Sequence, residues 1–123
     1  MSKAWSGLVA MAEEEVQALL GSLPNTIRKK ARSLPIMFER HPGGALLAEG
    51  LEPDTLGLFQ GPSLMDDPSD PLPSSIILYL DNIWDVADND TVFFREEVRT
   101  TLLHELGHYF GWDETDLETR DLD

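Results

Sequence analysis

Apolar and polar positions separate most cleanly between Thr91 and Phe110, where the spacing predicts one long helix. At about 100° per residue, Val98, Leu102, Leu106, Tyr109 and Phe110 share a broad sector, with Leu103 at its margin. Glu97, Thr101, His104, Glu105 and His108 fall on the other side. An apolar face for a core and a polar face beside it is the partition of an amphipathic helix. Gly111 is the natural stop, since glycine tolerates the left-handed conformation just past a helix end. Asp88 or Asp90 is placed to cap the start.

Ser75 to Leu80, rich in Ile, Leu and Tyr, is the clearest strand. Leu56 to Gly61 reads as a second short strand flanked by glycines; interior Gly57 predicts close approach of another backbone, or a bulge. Pro35 to Glu39 is a third. Ahead of these, Val16, Leu19 and Leu20 place a helix over Glu13 to Leu20, ended by Gly21. A second helix starts at Pro24 and runs to about Ala31, with Ser22 as its candidate cap. Its basic run, Arg28, Lys29, Lys30 and Arg32, complements the helix dipole. His41 to Gly44 is a turn, and Ala45 to Asp54 is a loop or a short helix. Pro62 to Ser75, with four prolines, is expected to be a surface loop, with a lid as the alternative. Asp81 to Asp90 is expected to be an acidic connection, and Asp113 to Asp123 a short final helix. Residues 1–10 and 118–123 are expected to be loosely held.

The order helix, helix, strand, strand, strand, helix predicts an α+β fold, a small sheet with the long helix packed on one face. At 123 residues, with no repeat or boundary, the chain is expected to form a single domain spanning 1–123.

Composition changes the picture in two ways. There is no cysteine, which excludes disulfides and cysteine-ligated metal sites. The formal net charge is −14, which argues against nucleic acid or an anionic membrane as partner and favours basic peptides. No early apolar run resembles a secretion signal, and the run Ile76 to Leu80 is too short to span a bilayer, so a cytoplasmic location is expected.

The candidate chemistry lies in His104-Glu105-Leu106-Gly107-His108-Tyr109-Phe110-Gly111-Trp112-Asp113-Glu114. Two histidines four apart on a helix point the same way and can grip one metal ion. Without cysteine, the donor set is histidine and carboxylate, the set of catalytic rather than structural zinc sites. His104 and His108 are therefore expected to hold one Zn²⁺ per chain, with Glu105 as general base. Beyond the helix stop, Glu114 is the favoured third ligand and Asp113 its rival. His41, in a Pro-Gly turn, is expected to be exposed rather than a ligand. Glu97 and Thr101 are candidates to orient the imidazoles. Tyr79, Tyr109, Arg95 and Arg99 are candidates to stabilise a developing oxyanion.

These residues resemble the minimal zincin-like metallopeptidases of bacteria, whose pattern is H-E-x-x-H-x-x-G-x-x-D. His104, Glu105, His108 and Gly111 match it, and Gly57-Leu58-Phe59-Gln60-Gly61 and Ile76-Ile77-Leu78-Tyr79 resemble the family's earlier Gly-Leu-Tyr-Gln-Gly-like segment and its apolar strand. The likeness covers roughly residues 13–118. It implies a small zincin-like α+β domain, with a short mixed sheet whose edge could align a peptide. It also implies hydrolysis of a peptide or protein substrate. The last position departs from the pattern: Glu114 stands where aspartate is usual, with Asp113 before it. No methionine follows Met65, so no Met-turn is expected, and nothing after Glu114 offers a further helix with a glutamate ligand. An open, shallow groove is the consequence. Two alternatives remain: a zinc-holding interaction module without turnover, and a metal-dependent ribonuclease. Glu105 and the net charge argue against the second.

Overall fold

The computed structural model describes residues 4–63 and 73–111. Eight elements follow in order: α1 (Trp5–Ser22), α2 (Asn25–Arg32), β1 (Ile36–Glu39), α3 (Gly44–Ala48), β2 (Gly57–Gln60), β3 (Ser75–Tyr79), α4 (Leu80–Val86) and α5 (Thr91–Phe110). The sheet order is β1-β3-β2, with β1 parallel and β2 antiparallel to β3. The fold is thus α+β with a small mixed sheet and a long C-terminal helix, as the pattern predicts.

β3 is central because its residues are apolar on both faces. Ile76 and Leu78 enter the main core, while Ile77 and Tyr79, alternating to the other face, are also buried. α5 lies against the sheet and against α1. Its predicted sector, Val98, Leu102, Leu106, Tyr109 and Phe110, is buried, and Phe94 joins it. Asp90, not Asp88, caps it, accepting from the backbone N–H groups of Val92 at 2.9 Å and Phe93 at 3.1 Å. Gly111 ends it at φ 73°, in the left-handed region.

Four expectations are corrected. Residues 5–10 are not loose; they are the first turns of α1, and Leu8, Met11, Ala12, Val16 and Leu20 form one buried stripe. The acids taken as a helix start lie mid-helix instead. Glu14 meets Arg95 at 3.1 Å, and Glu15 meets Arg99 at 2.7 Å and Arg95 at 3.8 Å, tying α1 to α5. Ser22 does not cap α2; its hydroxyl donates to the Leu19 carbonyl in the last turn of α1. The acidic connection 81–90 contains a helix, α4, because Leu80, Ile83, Trp84 and Ala87 repeat at helical spacing and are all buried. Of the two options for 45–54, a short helix forms, α3. Most of the Pro62–Ser75 tract, and the acids at 113 and 114, lie outside the described residues. No helix among the described residues is long and apolar enough to cross a membrane.

Candidate metal centre

The site is built where α5 passes the outer edge of β2. In an antiparallel ladder, hydrogen-bonded and non-hydrogen-bonded pairs alternate. The Leu56 carbonyl accepts from the Tyr79 N–H, so Leu58 and Gln60 turn their backbone groups toward β3. Gly57 and Phe59 therefore turn theirs to the open edge. Their side-chain positions face α5, and the Phe59 ring packs 5.8 Å from that of Tyr109.

Gly57 lets the helix come this close. A Cβ there would sit 2.6 Å from Thr101 Cγ2 and 3.3 Å from Glu105 Cγ. The close approach expected at Gly57 is real, but it is made mainly by two side chains of α5 rather than by another backbone. β2 covers both, so Thr101 and Glu105 are buried, each about 7% exposed, although they lie on the polar side of the helix.

His104 and His108 stay exposed on the outward surface of α5. Their rings are near-perpendicular, 86° apart, with Nε2 atoms at 3.2 Å. Two nitrogens each about 2.0–2.1 Å from a tetrahedral cation lie about 3.3–3.4 Å apart, so this separation suits two ligands of one ion. One carboxylate oxygen of Glu105 joins them; the three donor atoms lie within 4.8 Å of one another. The donor set and its spacing fit a divalent cation.

Burial pushes the Glu105 carboxyl above the ordinary glutamate range. The imidazoles of His108 and His104, and the backbone N–H of Phe59 turned toward the carboxylate, pull the other way. A proton acceptor thus sits in a partly dry pocket beside a metal-competent pair, held by the edge strand itself.

The remaining candidates fall elsewhere. Arg95 and Arg99 turn away from the histidines to the acids of α1. Tyr109 is buried among Phe59 and Phe110. Tyr79 is fully buried, its hydroxyl without a hydrogen-bond partner among the described residues. Burial, with the charge of Glu39 second, pushes its phenol up. None of these four reaches the metal pair. Glu97 lines a hollow beside Val86 and Phe93, about 10 Å along the helix from His104. Thr101 packs its methyl on Gly57 rather than reaching an imidazole nitrogen. His41 is exposed and outside the cluster. Glu114 and its rival Asp113 lie outside the described residues. What the sequence did not reveal is the part played by the Phe59 backbone. Its signal was the short strand Gly57–Gln60, which the alternation of an edge strand turns toward the site.

A small α+β domain with a His–Glu–His group on its long helix, set against a sheet edge, defines a class of helix-borne metal sites. Residues 31–123 match the family described as zincin-like metallopeptidase, and the chain belongs to that family. A search of the curated proteins finds no match.

Proposed function

We propose that the protein is a zinc-dependent metallopeptidase, with His104 and His108 as metal ligands, Glu114 (or Asp113) as the third, and Glu105 as general base. One observation carries this: two Nε2 atoms 3.2 Å apart share a 4.8 Å cluster with a buried carboxylate at an open strand edge. A zinc ion held there would supply Lewis acidity toward water and a scissile carbonyl. His104 and His108 would hold the ion through their ring nitrogens. The outward backbone groups of β2 give an extended substrate a strand to pair with. Glu105 takes the proton of the attacking water and delivers it to the leaving amine, its carboxylate lying in the same donor cluster as the histidines. The net charge of −14 draws basic substrates.

The test is Glu105→Gln. The variant keeps about one zinc per chain by elemental analysis and loses about 10²-fold or more in kcat on a peptide library. Wild-type turnover in the variant refutes the base assignment. A wild-type protein that binds zinc stoichiometrically yet cleaves nothing would instead be a metal-holding interaction module.

A further inference from the structure

Among the described residues, five large apolar side chains are exposed, and two of the three most exposed, Val86 and Phe93, border one hollow. Val86 (56%) ends α4, while Val92 (63%) and Phe93 (57%) open α5. Val86 and Phe93 line a hollow of about 220 Å³ with Ala87, Asp88, Glu96 and Glu97. Neither side chain on α5 serves the helix cap, which belongs to the Asp90 carboxylate. Exposed apolar surface gathered in a concave patch marks an interaction site more often than scattered residues do.

The rim has one sign. Asp88, Glu96 and Glu97 border the hollow, Asp85 and Asp90 stand beside it, and no ion pair among the described residues involves any of them. The two cations of α5, Arg95 and Arg99, are directed to Glu14 and Glu15 of α1. Such a rim repels phosphate backbones and anionic lipid, and attracts Lys and Arg.

Position adds a further constraint. At about 100° per residue, Phe93, Glu97, His104 and His108 fall within one stripe about 60° wide. The hollow and the histidine pair therefore share the outward surface of α5. From Phe93 to His104 is about 16 Å along the axis, the reach of about five residues of extended chain.

We propose that this acid-rimmed hollow, with Val86 and Phe93 in its wall, docks a polypeptide segment in which a bulky apolar residue is flanked by lysine or arginine. Docking there is independent of turnover. That the docked segment feeds the metal centre rests on the peptidase reading above.

The probe is a short fluorescein-labelled Gly-Ser peptide bearing the block Lys-Lys-Trp-Lys-Lys, titrated by anisotropy into full-length Glu105→Gln protein, so that binding is read without cleavage. Binding is expected, weakening about ten-fold or more in Phe93→Ser and with added salt. Glu96→Lys is expected to weaken it and flatten the salt dependence. A twin probe with glutamate for lysine should not bind. No binding by the lysine probe, or binding indifferent to Phe93→Ser, overturns the proposal. So does a wild-type dimer in sedimentation that Phe93→Ser dissolves, because the occupant would then be a second copy. If wild-type protein cleaves the probe extended on both sides, the cut should fall about five residues from the tryptophan. Phe93→Ser should then raise KM with little change in kcat. Docking of a probe that wild-type protein does not cut would remove the link to the metal centre and leave the docking site standing.

Discussion

Replacing Gly57 by alanine tests whether the edge strand and the site helix are fitted to each other at one point. The new Cβ would sit 2.6 Å from Thr101 Cγ2, far inside carbon–carbon contact, and 3.3 Å from Glu105 Cγ. Gly57 does not occupy the left-handed region, so the cost is steric rather than conformational. Thr101 cannot swing freely, being buried with one methyl wedged between helix and strand. Overpacking of this kind costs about 1–3 kcal/mol. The loss of glycine entropy in the unfolded chain returns about 0.4–1 kcal/mol. A net loss of about 1–2 kcal/mol is expected, or about 3–10 °C in the unfolding midpoint of a domain this size. Urea unfolding of the zinc-free protein measures it. The sharper assay is a double-mutant cycle with Thr101→Ser, which removes the offending methyl and keeps the hydroxyl. Alone, Thr101→Ser should cost up to about 1 kcal/mol; in the Gly57→Ala background it should restore stability, a coupling of about 1 kcal/mol or more. Strict additivity, or a Gly57→Ala protein as stable as wild type, would show that β2 and α5 are not in register through this contact.

Three further outcomes are expected. Glu105 has a raised pKa in the folded chain, so its contribution to stability is present at low pH and is lost as pH climbs through the folded value. Metal-free Glu105→Gln should therefore melt above wild type at pH 8, the gap closing as pH falls toward the ordinary glutamate value; a constant gap would refute the burial argument. Asp90→Ala removes the acceptor of two backbone N–H groups and should cost about 1 kcal/mol in chemical denaturation, with zinc affinity unchanged because the cap is remote from His104. Glu15→Gln loosens both arginines of α5, yet the arginines are partly exposed, so only about 0.5–1 kcal/mol should be lost, less at high salt.

Much of this architecture is legible in the sequence because pattern and chemistry agree locally. α5 carries a clean apolar sector, an aspartate before it and a glycine after it, and its ends fall at Thr91 and Phe110 as expected. β3 reads as the clearest strand because Ile, Leu and Tyr crowd it, while its central place in the sheet is a finding of the structure. α4 was hidden by its charges: Asp81 and Asp85 suggest a connection, while Leu80, Ile83, Trp84 and Ala87 carry the helical signal. The sequence starts α1 too late for the same reason: Glu13 to Glu15 resemble a helix start, while the partners of Glu14 and Glu15, Arg95 and Arg99, are about 80 residues away. The histidine pair follows from i, i+4 spacing alone. The burial of Glu105 does not, because it depends on where β2 lands, and no local pattern encodes that. The same holds for Arg95 and Arg99, which sequence proximity nominated for the site and tertiary pairing removed from it.

The family match starts at residue 31, later than the likeness read from the sequence, and the helix that backs the metal helix lies wholly upstream of that match. Leu8, Met11, Ala12, Val16 and Leu20 would vanish from a fragment trimmed to the matched residues. Such a fragment would expose the flank of Val98 and Leu102 to water and strand two guanidinium groups. Expression boundaries for this protein are therefore set by its first helix, and a trimmed version should aggregate rather than fold.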